Sequence, residues 1–368
     1  MKKTIASLEG LRGCAALLVV IFHIQFAFPG AHWFEGGYLA VDLFFVLSGF
    51  VIATAYGDRI SDGASWRTFM IRRFGRLYPA QLVASVAMYA VLNGCIRSFG
   101  YLVTANPPSA TPADIFAVVT MTQGMPIYYR VVGLPVTWST SCEFFVYMLF
   151  AALCVTVHGR IRVAIFSALA IVGYVAAIVA SIVKTSCISD GGCFDLFVGY
   201  GWARCFAGFF LGSIMAYYRD KPFLSSLERP LTQWLALAIA VAIMLLCARA
   251  YRGVSLSVAA FGAPCAFAIL VASLSHDSGP VARLFSLRPF QWLGEVSYSV
   301  YLTHGIFRVP LNYLALHTTH PALLGSTFIL VSYFAAQAMH MLIEKPCRER
   351  IYSWSNSIRD KSPATTFD

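Results

Sequence analysis

The chain has 368 residues, of which 58% are hydrophobic and only 12% charged, with a formal net charge of +10. A soluble domain of this length would carry about twice that charged fraction, so composition excludes an ordinary water-soluble globule. The positive charge needs no nucleic-acid partner, because the basic residues sort by the side of a membrane.

Apolar runs near the roughly 20 residues that cross a bilayer recur at 8–28, 38–56, 79–95, 138–157, 161–182, 197–218, 231–249, 254–274, 290–311 and 321–343. They predict an all-α, polytopic membrane bundle of about ten transmembrane helices over residues 1–346, followed by a short basic cytoplasmic tail over 347–368. With the N-terminus in the cytoplasm, 20 of the 27 Lys and Arg fall on the inner side. The outer side holds Arg97, Arg130, Lys184, Arg249, Arg252 and Arg308, and Arg204 lies within a span. This asymmetry predicts that both termini are cytoplasmic. The Met-Lys-Lys start also fits a signal peptide, but Glu9 and Arg12 interrupt the apolar run and no small-residue cleavage site follows Phe26. The segment is therefore expected to be retained.

The first span, LEGLRGCAALLVVIFHIQF, carries Arg12 and His23. Eleven residues correspond to three turns plus about 20°, so the two share a helix face with a rise of about 16 Å between them. Each has an ordinary reading, as a snorkelling arginine and a packing histidine. A functional pair on one stripe is the other reading, since titratable groups in hydrocarbon are costly unless they face protein or water.

The second span, GGYLAVDLFFVLSGFVI, contains Asp42, expected to pair with a buried donor, and the small residues Ser48 and Gly49, which permit close helix approach. TFMIRRFGRLYPA follows, with Arg72, Arg73 and Arg76 before Pro79. Arg73 and Arg76 are three apart on one face, which makes either a two-pronged phosphate site or ordinary inner-side clustering. Residues 114–128 are apolar but broken by Gln123, Gly124 and Pro126, so they predict an interfacial or re-entrant piece on the outer side.

WSTSCEFFVYML opens the fourth span, and Ser139, Glu143 and Tyr147 form a stripe spaced at four. Glu143 is expected near the level of His23. There it would either orient the imidazole and raise its basicity for general-base catalysis of acyl transfer, or pair with Arg204. Cys187 and Cys193 lie in the outer loop CISDGGC, as a disulfide if that side is oxidising or as two free thiols. Arg204, in the sixth span, needs an acid such as Asp42 or Glu143, or a ligand phosphate or carbonyl. Within WLGEVSYSVYLTHGIF, Ser297, Tyr301 and His304 follow the helical rhythm and share a face. Glu344 and Pro346 in IEKPCRER mark the end of the last span.

Taken in this order, LEGLRG with His23, GGYLAVDLFFVLSGF, RRFGRLYP, WSTSCE, RCFAGFFLG, GEVSYSVYLTHGIF and EKP resemble the acyltransferase-3 family of membrane O-acyltransferases. The resemblance covers nearly the whole chain. It implies a multi-pass protein of the bacterial inner membrane that moves an acyl group, usually acetyl, from cytoplasmic acetyl-CoA or another acyl-CoA to an acceptor hydroxyl on the other side. The acceptor class is a glycan or lipid-linked sugar such as lipopolysaccharide, and no metal is implied. Arg12 and His23 are implied as essential, with Arg73 and Arg76, beside Arg72, meeting the coenzyme, and Ser139 and Glu143 in the site. The second acid that often follows the glutamate is replaced here by Phe144. Asp42, Arg204, Tyr301 and His304 are the further candidates for substrate contact or for oxyanion stabilisation. No fused hydrolase-like domain is expected, so the spans act alone or with a separate periplasmic partner. A transporter exporting a glycan or small acid is the main alternative, because intramembrane Arg, Asp, Glu and His mark transport pathways too. Paired half-length helices, which would favour it, are not evident.

Overall fold

A computed structural model of the chain describes residues 5–25, 31–99, 110–250 and 255–361. Lys2, Lys3, Arg252, the last residues of the first expected span and the end of the expected tail lie outside the described residues. The helices in chain order are α1 (Ala6–Ile24), α2 (Ala40–Tyr56), α3 (Gly63–Phe99), α4 (Pro112–Val119), α5 (Thr137–Thr156), α6 (Gly159–Thr185), α7 (Cys187–Asp190) and α8 (Gly201–Tyr218). They continue with α9 (Pro222–Ser225), α10 (Pro230–Ala250), α11 (Ala263–Ser273), α12 (Pro280–Phe285), α13 (Arg288–His317), α14 (Pro321–Met339) and α15 (Lys345–Lys361). Short 3₁₀ stretches precede α2 and α11, and no strand occurs among the described residues.

Seven helices among the described residues are long and apolar enough to cross a membrane: 6–24, 33–56, 137–156, 159–185, 230–248, 256–273 and 321–357. The other three expected spans are helical as well, within α3, α8 and α13, but polar groups dilute them. Arg204 interrupts α8, and Glu295, Ser297, His304 and Arg308 interrupt α13. Ile171, Val172, Val175, Val179 and Val183 form an exposed apolar stripe down α6. In water such a stripe would be an association surface; against acyl chains it is the natural lipid face. The chain is thus an all-α, multi-pass membrane protein.

Small residues bring the central helices together. A Cβ on Gly49 of α2 would strike the Phe209 carbonyl of α8, and one on Gly212 of α8 would strike Val46 of α2. Gly10 and Gly13 of α1 meet the backbone around Phe285 and Leu293–Gly294 in the same way, which lets α1 lie along α13. Without such approach, lipid-embedded helices lose the van der Waals contact that associates them. Gly49→Val should therefore cost about 1–3 kcal/mol by overpacking. The check is a lowered thermal midpoint in detergent, whereas Val51→Ala, on an exposed position of the same helix, should leave the midpoint unchanged.

The 114–128 segment does not cross. Its helix, α4, has eight residues, about 12 Å by helical rise, and starts at a capping box between Thr111 and Asp114. The chain then folds back onto α5: Gln123 Nε2 donates to Thr137 O (3.2 Å) and the Gly124 N–H to Ser141 Oγ (3.1 Å). Of the two alternatives for Cys187 and Cys193, the structure has the disulfide. Its loop is docked by Tyr38 Oη on Cys193 O (2.6 Å) and by Ser257 Oγ, which accepts from the Cys193 N–H (2.7 Å).

At the other end of the chain, a π-helical turn over His340–Glu344 leads into α15. Residues 347–361 of the expected tail are thereby helical, and α15 packs against α3.

Candidate active site

A cavity of about 510 Å³ lies among α1, α2, α3, α5, α8 and α13. Its α2 wall runs from Val41 to Ala55, roughly 20 Å along the helix axis. Four arginines line it: Arg12, Arg73, Arg76 and Arg219. Arg219 stands at the end of α8, and the other three come from the first turns of α1 and from the α3 segment before Pro79. They share the cavity with the acids Glu9 and Glu143 and with Ser139, Tyr147, Tyr298 and Tyr301.

Three of these cations are held by different sets of groups. Arg12 pairs with Glu9 one turn earlier and reaches across to α13, donating from Nε to Ser297 Oγ (3.0 Å) and from Nη2 to Gly294 O (3.0 Å). Arg76 forms an ion pair with Glu344, whose fully buried carboxylate also accepts from Ser299 Oγ (2.7 Å). Arg73 donates to Tyr352 Oη (3.0 Å) and stacks over Tyr56, Phe69 and Tyr147, while its buried Nε has no hydrogen-bond partner. Arg72 turns away from the cavity and is held by α15, through Ser355 Oγ (3.0 Å) and Asn356 Oδ1 (2.6 Å). The C-terminal helix therefore fastens the arginine-bearing turn of α3.

The stripe on α5 faces the same space. Tyr147 donates its hydroxyl to Glu143 and receives one from Ser48 (2.7 Å). Ser139 Oγ and Tyr301 Oη lie 2.8 Å apart, and both also reach Val136 O. Tyr301 thus belongs to the cavity wall and to the layer behind it. Its ring meets that of His304 with centroids 5.7 Å apart, and His304 in turn meets His23 at 5.0 Å.

His23 and Arg12 leave the same face of α1, but only Arg12 lines the cavity. The half-buried His23 has its Nδ1 on Val19 O at 2.8 Å. A carbonyl can only accept, so the ring proton belongs on Nδ1 and the lone pair on Nε2 in the neutral form. Glu143 accepts its hydrogen bond from Tyr147, and the ring neighbours of His23 are Phe22 and His304. The expected support of His23 by Glu143 is therefore not the arrangement found.

Asp42 and Arg204 form a closed pair. Arg204 Nε donates to Oδ1 (3.0 Å) and Nη2 to Oδ2 (2.6 Å), while Nη1 also donates to Leu196 O (3.0 Å) and Nη2 to Tyr38 O (3.1 Å). The guanidinium lies over Trp138, and the pair is 1% and 0% exposed. These donors are spent on the protein, so the pair ties α2 to α8 rather than facing the cavity.

Arg219, Glu9 and Tyr298 were missed as cavity residues. In sequence Arg219 is one more basic residue flanking a span, and nothing in YYRDK distinguishes it from Lys221.

The family model described as an acyltransferase domain matches residues 5–340. The chain is 26% identical to the peptidoglycan O-acetyltransferase OatA of Listeria monocytogenes, the match covering 98% of this chain and 58% of that protein. It is 27% identical to the putative peptidoglycan O-acetyltransferase YrhL of Bacillus subtilis, covering 94% of this chain and 55% of that protein. A shorter match, 45% identical over 94 residues, is to protein 2 in the picA locus of Rhizobium radiobacter, covering 25% of this chain and 48% of that protein. The chain thus spans little more than half the length of the full-length relatives it matches. No solved structure matches.

Proposed function

The chain belongs to the acyltransferase-3 family, and from that premise we propose that it is a membrane O-acyltransferase, taking acetyl from cytoplasmic acetyl-CoA to a glycan hydroxyl on the opposite side of the bacterial inner membrane. The observation that carries this reading is the elongated cavity, with four arginines on its wall and the Ser139–Tyr301 pair in front of two histidines. Guanidinium groups suit the coenzyme's phosphates. The cavity's length suits the flexible arm that brings the thioester inward. The names of the relatives favour a peptidoglycan-type sugar as acceptor.

In the transfer step, His23 Nε2 accepts the proton of the acceptor hydroxyl as its oxygen attacks the thioester carbonyl. The new ester C–O bond forms and the C–S bond breaks. One hydroxyl of the Ser139–Tyr301 pair turns from the Val136 carbonyl, which both now reach, to donate to the oxyanion. Arg73, Arg76 and Arg219 hold the coenzyme, and Arg12 fixes the packing of α1 on α13 at the same mouth.

Radiolabelled acetyl-CoA given to membranes containing the chain should place label in the glycan or lipid-linked sugar fraction. Label confined to coenzyme and free acetate, with movement of a glycan or small acid across the bilayer, would favour transport instead. Arg219→Ala should raise the KM for acetyl-CoA about tenfold with little change in kcat, the size of one lost charge-assisted hydrogen bond. An unchanged KM would remove Arg219 from the coenzyme site.

A further inference from the structure

The His304 side chain poses a problem that the transfer step above does not use. It is fully buried, its Nδ1 lies 3.1 Å from Val300 O, and its Nε2 has no hydrogen-bond partner. As with His23, the carbonyl fixes the ring proton on Nδ1, so Nε2 carries a lone pair. Leaving a buried acceptor unsatisfied costs about 1–3 kcal/mol. A phenylalanine would fill the same space without that cost. The ring sits 5.0 Å from His23 on one side and 5.7 Å from Tyr301 on the other, between the imidazole outside the cavity and the tyrosine on its wall.

Two neutral imidazoles whose N–H groups are both spent on their own helices cannot hydrogen-bond to each other through Nε2. They can share a proton as soon as one of them acquires it. From this juxtaposition we propose that His304 is a proton relay, taking from His23 the proton that His23 removes from the acceptor and passing it toward the departing coenzyme. The inference rests on the acyl-transfer reading. Its bookkeeping closes within that reaction. The acceptor O–H proton goes to His23 Nε2, then to His304 Nε2, then by way of the Tyr301 side of the cavity to the coenzyme thiolate left by C–S cleavage. The products are the ester and the free thiol, and both histidines return to neutral.

The charged and titratable groups facing His304 are few. His23 comes from α1, and Tyr301 and Arg308 come from its own helix. The segment before α5 presents Leu134 and Val136 to the adjacent Gly305, and α14 presents the Ser332 carbonyl to Thr303. No carboxylate in this set holds the proton on His304, so a cation formed there is passed on rather than trapped.

The test uses native membranes containing the full chain, radiolabelled acetyl-CoA as the probe, and initial rates between about pH 5.5 and 8.5. His304→Gln keeps a hydrogen-bond acceptor but carries no titrating proton; His304→Phe keeps the ring volume alone. Both should lower kcat by about 10²-fold across that range and leave the KM for acetyl-CoA within about twofold. A wild-type rate in His304→Gln would overturn the relay while leaving acyl transfer standing. Should His304→Phe fail to accumulate, the glutamine variant decides by itself. No glycan or lipid label with the wild-type chain would overturn the acyl-transfer reading, and the relay with it.

Discussion

His23→Ala is expected to lower acetyl transfer by about 10²–10⁴-fold, the usual worth of a positioned general base, while leaving coenzyme binding nearly intact. The second half follows from position. His23 is not among the residues that line the cavity, its ring neighbours are Phe22 and His304, and its hydrogen bond goes to its own helix. The substitution therefore removes no group that lines the cavity. Two measurements check this: labelling of the glycan fraction by radiolabelled acetyl-CoA, and stabilisation of the purified protein by acetyl-CoA in a detergent melt. Labelling at the wild-type level would dismiss His23 as the base. Lost labelling together with lost coenzyme stabilisation would reassign it to holding the cavity's shape. A glutamine at position 23 should not restore the rate, because an amide cannot carry the proton away.

The largest effect on stability is expected from Arg204→Met. Removing one partner of a buried ion pair leaves the other charge uncompensated, at a cost of about 3–5 kcal/mol. Here Asp42 is that partner, and it has 0% exposure. The substitution also strips the Leu196 and Tyr38 carbonyls of their donor. The expected readout is a large fall in the detergent melting midpoint and in the amount of folded protein. Adding Asp42→Leu to Arg204→Met removes the unpaired charge and should recover more than half of the loss. A double variant no better than the single would show that Arg204 acts mainly through the two carbonyls. If Arg204→Met kept full stability and lost only transfer, the pair would have to face substrate instead.

Several parts of this protein follow from local chemistry and are legible in the sequence. Long apolar runs with flanking arginines can only be satisfied as helices in lipid, because no other open structure pairs its own backbone groups there. The helical repeat likewise sets Arg12 and His23 on one stripe and Ser139, Glu143 and Tyr147 on another. Gly49 advertises a close approach, and its contact with Phe209 is that approach.

The partners of these groups are another matter, since they depend on how distant helices register. Asp42 meets Arg204 across 162 residues, and Arg76 meets Glu344 across 268. Before folding, Asp42 and Glu143 were equivalent candidates for Arg204. The α2–α8 approach through Gly49 and Gly212 decided for Asp42 and left Glu143 to Tyr147.

The same holds for the shared face of α1. Spacing established the stripe, but the packing of Gly10 and Gly13 on α13 decided what lies beside each point of it. Ser297 and Gly294 fall opposite Arg12, and His304 falls opposite His23. Arg219 joined the cavity and Arg72 left it for the same reason: a side chain's helix face is a local property, whereas the cavity exists only where six helices fail to fill the space between them.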